Sequence, residues 1–284
     1  MTISRSIIFI LIFSLIGSNH RTLTMNIGSF HSHGTLNQTT QDFFSMLGQN
    51  FQTLDQANAF CQEHFLRQGE RWDKQEETPI FKKCKENEEI LMAYLKSLGM
   101  IDAVCPSKKQ FKYVLCMGAL RARIEQRLNY IAQLQNEGYS FETIVLLGGA
   151  RPLMDNEKID VSDKIATEAD MMKYLYDNHA KIKKGNMLLI NAPMVELPGG
   201  AMRRPNTDDT LKLFQDKNSD GGACLVVSNN PYLFRQAKVA QRILDQEKFP
   251  VYGAGDALDN KRTDIYILMD ELARAIYEEN KNLK

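Results

Sequence analysis

Four arginines lie close to small or amide residues, at points where short apolar runs end. They are Arg121, Arg151, Arg204 and Arg235. Arginines in this setting are typical of sites that bind or act on anions. A guanidinium group binds phosphate or carboxylate oxygens through paired hydrogen bonds. If the four meet in one cleft, the sequence predicts a site for a small anionic, phosphorylated ligand. If they are scattered over the surface, they form only weak ion pairs.

One carboxylate is a candidate for acid–base catalysis. Glu168 lies between Thr167 and Asp170, whose spacing predicts a capping box at the start of a helix. In the first turn of that helix, Glu168 can serve as a general base or as a ligand for a hydroxyl group or a metal. Asn206 and Thr207 also stand at a predicted helix start, so they either cap that helix or bind the ligand directly.

Several other chemistries have no motif in the sequence. Gly148 and Gly149 are adjacent, but neither a dinucleotide fingerprint nor a P-loop follows any apolar run. The nucleophile elbow, the zincin motif and the kinase motifs are also missing. His31 and His33 have no carboxylate cluster beside them, so we predict no metal site and assign no cofactor.

The charge balance bears on nucleic-acid binding, and the cysteine content bears on disulfide bonds. The 35 basic and 35 acidic residues cancel, which disfavours binding to a nucleic-acid backbone. The five cysteines contain no C-x-x-C pair, and Cys116 and Cys224 lie in apolar runs where burial is expected. If the chain is exported, one disulfide bond between two of the other three cysteines is possible.

These side chains need a scaffold, and the second half of the chain predicts one. Short apolar runs alternate there with helix-length segments, as in sheets whose strands are buried on both faces. The runs span 111–117, 143–147, 187–191, 224–227 and 249–252, and the helical segments span 121–136, 167–178, 207–215, 232–246 and 264–280. The pattern predicts an α/β, Rossmann-like, doubly wound and mainly parallel sheet of about five strands.

The predicted fold also locates the site. In such sheets ligands bind beyond the carboxyl ends of the strands, near helix amino termini. The loops at those ends contribute further candidate ligand-binding residues, namely Gly118, Gly148, Gly149, Ser228 and Asn229.

The first 105 residues do not show this alternation of short apolar runs and helical segments. Arg5 and the apolar run 7–16 predict an export signal over 1–18, with an uncleaved anchor or a start at Met25 as alternatives. A flexible segment is predicted over 19–38 and a helical accessory region over 39–105, with a charged connection at 69–77 and a helix over 86–98. The α/β domain then spans 106–284. Membrane contact is expected only through the amino-terminal segment.

The order of short motifs resembles that of the YdcF-like family of uncharacterised α/β proteins. The resemblance covers about 111–277, and the motifs are Gly118, Arg127-Leu128, Gly148-Gly149, Thr167-Glu168-Ala169, Arg204 to Thr210 and Val227 to Ala237. It implies a Rossmann-like fold, association with the bacterial envelope, and a role in cell-wall precursor or lipid-carrier metabolism. S-adenosylmethionine is a suspected ligand within that family.

The resemblance also implies site residues and shows two departures. The family's Glu-Ala pair corresponds to Glu168-Ala169 and its Asn-Thr pair to Asn206-Thr207, while Arg127 and Tyr232 join the candidate ligand-binding residues. Many members have a histidine where this chain has Tyr232, and Thr210 replaces an asparagine. A tyrosine titrates far above neutral pH and cannot simply replace a histidine in acid–base work.

Two functions follow as expectations. The first is an exported or envelope-associated enzyme, a hydrolase or transferase acting on a small phosphorylated substrate with Glu168 as its acid–base residue. The second is a non-catalytic module that binds a nucleotide-like ligand such as S-adenosylmethionine. A third interpretation makes the amino-terminal helices a surface for a protein partner, and nothing in the residues selects it.

Overall fold

The computed structural model describes residues 29–67, 78–158, 165–258 and 264–283, which form an α/β fold. The strands are β1 (His31–Ser32), β2 (Thr35–Leu36), β3 (Gln110–Met117), β4 (Ser140–Gly149), β5 (Asn186–Ala192), β6 (Val195–Glu196), β7 (Met202–Arg203), β8 (Cys224–Asn229) and β9 (Val251–Asp256). The α-helices are α1 (Gln38–Met46), α2 (Leu54–His64), α3 (Pro79–Glu86), α4 (Glu88–Ser97), α5 (Arg121–Asn136), α6 (Glu168–Asp177), α7 (Thr207–Lys217), α8 (Tyr232–Ile243) and α9 (Ile265–Lys281).

The central sheet has five strands, all parallel, in the order β5-β4-β3-β8-β9. The chain winds outward from β3 through β4 to β5, and then crosses to β8 and β9 on the other side. The strand order therefore reverses between β3 and β8, which is where α/β sheets open a crevice for ligands. The predicted α/β class, the parallel sheet and its five strands are all confirmed.

Alternating side chains of the strands supply two cores, one on each face of the sheet. Val114 and Cys116 of β3 pack with α5 and α6, whereas Leu115 and Met117 pack with α7 and α8. Burial on both faces explains why these strands are continuously apolar in sequence.

The fifth strand begins later than its apolar run predicts. Phe249 is buried, but it lies in a turn whose backbone N–H donates to the Asp245 carbonyl at 2.7 Å. The strand extends instead through Gly253 and Gly255, and a Cβ at Gly255 would lie 2.9 Å from Leu233 Cδ2 of α8. A glycine that allows this close approach interrupts the apolar pattern by which a strand is predicted.

Helices α1 to α4 form a separate layer that packs against α9 rather than against the sheet. Phe43, Phe44 and Leu47 share a core with Leu272 and Ile276 of α9. The predicted helix over 86–98 corresponds to α4, and Gly99 follows it with φ +75° in the left-handed region. The accessory helices are thus joined to the α/β unit through its last helix.

The segment for which the sequence predicts flexibility is structured over its second half. Residues 31–36 form the antiparallel β1–β2 hairpin, and the Phe30 ring packs edge-on against Phe234 of α8 at 5.2 Å. Burial of Phe30 and Leu36 holds the hairpin in place. The predicted export signal, residues 19–28 and the connection at 69–77 lie outside the described residues. Within the described ranges, no helix combines the length and the apolar character needed to cross a membrane.

Candidate functional site

A cleft of about 370 Å³ opens at the carboxyl ends of β3 and β4, and we call it the arginine cleft. Its lining comprises Met117, Gly118, Ala119, Leu120, Leu147, Arg151, Glu168, Arg203, Arg204, Pro205, Asn206, Thr207, Thr210, Arg235 and Gln236. Seven residues singled out from the sequence meet there, namely Gly118, Arg151, Glu168, Arg204, Asn206, Thr207 and Arg235. Five separate segments of the chain contribute to it.

The wall of the arginine cleft depends on two glycines that do not themselves line it. A Cβ at Gly148 would lie 2.8 Å from the Ala169 Cα, and one at Gly149 would lie 2.3 Å from the Pro205 Cγ. Both distances are too short for any side chain. The sequence predicts that these glycines contact the ligand; in the structure they instead let α6 and the Pro205 loop approach the end of β4.

Glu168 is placed by the start of α6. The predicted capping box is present, since Asp170 N donates to the Thr167 hydroxyl and Thr167 N donates to the Asp170 carboxylate. The Glu168 side chain is only 14% exposed, and its Oε1 lies 3.4 Å from Arg151 Nη2. Burial raises the pKa of Glu168 above its ordinary value, although the charge of Arg151 opposes the shift. The buried carboxyl group therefore takes up a proton at a higher pH than an exposed glutamate does.

Arg151 is fixed beside Glu168 by a second carboxylate. Its Nη1 and Nη2 donate to the two oxygens of Glu157 at 2.7 and 2.9 Å. Burial works against ionisation of Glu157, but hydrogen bonds from Arg151 and from the Met154 N–H outweigh it and lower the pKa of Glu157. The bidentate pair holds the guanidinium group in one orientation.

Two adjacent arginines enter the arginine cleft from the β6–β7 hairpin. Arg203 pairs with Asp209 at 2.7 Å, and Asp209 completes a second capping box with Asn206 at the start of α7. Arg204 is exposed and pairs with no carboxylate of the described residues. Arg203 is not among the site residues predicted from the sequence. The only feature of the sequence that points to it is its position next to Arg204.

Arg235 reaches the arginine cleft from the first turn of α8. Its Nε donates to Glu271 of α9 at 2.7 Å. Burial alone would lower the pKa of Arg235, but the Glu271 carboxylate outweighs that effect and raises it. The neighbouring Gln236 accepts a hydrogen bond from Ser228, which is fully buried. Ser228 thus supports Gln236 and does not line the cleft, contrary to its predicted role.

Arg127 lies beneath the point where the strand order reverses. Only 1% of it is exposed, and it donates to the carbonyls of Met117 and Gly118 at 2.6 and 2.9 Å and to Asn229 Oδ1 at 2.8 Å. Burial lowers the pKa of Arg127 to about 10. It ties the ends of β3 and β8 together and, unlike its predicted role, is not open to a ligand.

A second cleft of about 430 Å³ lies beside the first, and we call it the asparagine cleft. Its lining comprises Leu120, Ala122, Arg123, Gln126, Asn229, Asn230, Pro231, Tyr232, Asp256, Ala257 and Ile267. The predicted residues Asn229 and Tyr232 therefore belong to this cleft. The Arg123 guanidinium lies 4.2 Å over the centre of the Tyr232 ring. Arg121 lines neither cleft, because its Nε pairs with Glu125 at 3.1 Å.

The arginine cleft can hold an anion next to a proton acceptor. Four arginines, Arg151, Arg203, Arg204 and Arg235, line the same cleft as Glu168, and the Arg151 guanidinium contacts its carboxylate. The amino termini of α6 and α7 face the same region and favour negative charge. In the described part of the chain, no three histidine, cysteine, aspartate or glutamate side chains converge as a ligand set for a metal.

Comparison of the chain with family models, curated proteins and solved structures gave no significant match. The resemblance to the YdcF-like family stays a prediction from the order of the motifs.

Proposed function

We propose that this protein binds a small phosphorylated molecule in the arginine cleft and catalyses hydrolysis or transfer of its phosphorylated group, with Glu168 as the acid–base residue. The observation that carries the proposal is that four arginines line one cleft together with a largely buried carboxylate, which Arg151 contacts. Charge that develops on phosphate oxygens is stabilised by donors fixed in advance, as ion pairs fix Arg151, Arg203 and Arg235.

The exposed Arg204 makes the first contact with the anion. It has no carboxylate partner among the described residues, so binding a phosphate does not require it to break an ion pair. Each of the other three arginines is partly neutralised by a carboxylate behind it. This division assigns capture to Arg204 and orientation to the others.

The oxygen of the attacking hydroxyl or water forms the new bond to phosphorus. Glu168 accepts the proton that this oxygen loses. A raised pKa brings a carboxyl group closer to neutral pH, where it accepts and returns protons more readily. The leaving oxygen departs with the electron pair of the broken bond, and Glu168 returns the proton to it or to solvent.

We also infer, from the apolar run at 7–16 and the order of the motifs, that the protein is YdcF-like and works in the cell envelope. Binding of a nucleotide-like ligand without turnover is the alternative that the following experiment separates.

Calorimetric titration of the full chain with inorganic phosphate and pyrophosphate tests the binding step. Arg204→Gln is expected to weaken binding about tenfold, the loss of one charged hydrogen-bonding group. Lys217→Gln removes one charge from an exposed position at the carboxyl end of α7 and serves as the matched control, with unchanged affinity expected. Absence of anion binding by the unaltered chain, or equal losses in both variants, contradicts the proposal.

Phosphate release from a panel of phosphate esters tests the chemical step. Glu168→Gln is expected to keep anion affinity within about twofold and to reduce turnover at least a hundredfold, the usual contribution of a general base. Binding without turnover by the unaltered chain favours the non-catalytic alternative. Unchanged turnover in Glu168→Gln removes this residue from the mechanism.

A further inference from the structure

The two clefts share part of their lining. Leu120 lines both of them. The first turn of α8 also borders both, because Tyr232 lines the asparagine cleft while Arg235 and Gln236 line the arginine cleft. Residues three and four apart on a helix are neighbours, about 5–6 Å apart at their Cβ atoms.

The chemistry of the asparagine cleft differs from that of its neighbour. Its polar lining consists of the amides of Gln126, Asn229 and Asn230, the carboxylate of Asp256, and one guanidinium, Arg123, that covers the Tyr232 ring. A carboxylate disfavours a second phosphate, whereas carboxylate and amide oxygens accept hydrogen bonds from hydroxyl groups. The lining therefore suits an uncharged part of a ligand that carries hydroxyls.

One buried side chain in the asparagine cleft has an unused acceptor. Asn230 is 4% exposed, and its Nδ2 donates to the Asp102 carbonyl at 2.6 Å. Its Oδ1 is buried and has no hydrogen-bond partner among the described residues. Such orphaned acceptors are rare because each loses its hydration without replacement. The oxygen has no surface open to solvent, so a ligand hydroxyl can bond to it only if the Asn230 side chain moves toward the cleft.

We propose that the two clefts bind one molecule, with its phosphate in the arginine cleft and a hydroxyl-bearing sugar ring in the asparagine cleft. This inference rests on the proposed function and names its substrate class, a phosphorylated sugar or the sugar phosphate of a nucleotide. Pro231, Ala257 and Ile267 provide an apolar wall, and Asp256 and Gln126 bind the hydroxyls.

The test compares affinities of the full chain for inorganic phosphate, glucose 1-phosphate and adenosine monophosphate. At least one ring-bearing probe is expected to bind about tenfold more tightly than inorganic phosphate. Asp256→Ala is expected to remove that gain and to leave the affinity for inorganic phosphate unchanged. Asp216→Ala, at an exposed position on α7, is the matched control and is expected to change neither.

Each outcome has a distinct meaning. Preference for glucose 1-phosphate identifies a sugar-phosphate site, and preference for adenosine monophosphate identifies a nucleotide site. Equal affinity for all three probes, or an Asp256→Ala variant that keeps the gain, overturns this inference while phosphate binding sustains the proposed function. Failure of every probe to bind overturns both.

Discussion

Replacement of Gly118 by alanine tests whether close packing at the end of β3 positions Glu168. A Cβ at this position would lie 2.7 Å from the Leu147 carbonyl oxygen and 3.2 Å from Cδ and Oε1 of Glu168. The first contact is to backbone, so the strand end itself has to move. The second is to the carboxyl group that we assign to catalysis, which has to give way by a few tenths of an ångström.

The energetic cost follows from this geometry. Side-chain Cβ atoms essentially never approach another atom closer than 3.0 Å, so the Leu147 oxygen must shift by at least 0.3 Å. Leu147 is paired with Met117 in the parallel ladder, and a shift strains that register. Overpacking of this kind costs about 1–3 kcal/mol. We expect the free energy of unfolding to fall by that amount and turnover to fall with it.

Urea unfolding followed by circular dichroism measures the loss, with Gly185→Ala as the matched control. A Cβ at Gly185 meets nothing within 4 Å, so that variant should be unchanged or more stable by about 0.4–1 kcal/mol. If Gly118→Ala unfolds at the same urea concentration as Gly185→Ala and hydrolyses phosphate esters at the unaltered rate, the packing argument for Glu168 is wrong.

Two further predictions concern stability at the same site. The pKa of Glu168 is raised in the folded state. Above pH 4.5, the ordinary pKa of a glutamate, the folded chain therefore holds more protons than the unfolded chain, and the fold loses stability as pH rises and Glu168 ionises. The unfolding free energy of Glu168→Gln minus that of the unaltered chain should therefore increase between pH 4 and pH 8 in urea titrations, and a constant difference would contradict the burial argument. Asn206→Ala should lower the unfolding free energy by about 1 kcal/mol, because the Asn206 side chain accepts from Asp209 N at the start of α7. Asn206→Ser should restore most of this loss, and equal losses in both variants would show that the cap is not the cause.

The helices and strands of the α/β unit could be predicted because each depends on residues that are close together in the sequence. Strands buried on both faces need continuous apolar runs, and helices need an apolar face and a capping residue such as Thr167 or Asn206. The class of the fold and the edge of the sheet where the arginine cleft opens followed from these patterns. The weak run at 249–252 predicts only the start of β9, because the strand continues through Gly253 and Gly255 and Leu233 of α8 leaves no room for a Cβ at Gly255.

The membership of the site was decided by the tertiary structure. The sequence by itself determined that arginines follow the strands, but Arg121 pairs along its own helix, Arg127 is buried under the strand ends, and Arg203 takes a place in the arginine cleft. Where a loop side chain points depends on strand register and on close contacts such as Gly149 against Pro205. These contacts join residues far apart in the chain, and the residue types alone do not encode the distances between them.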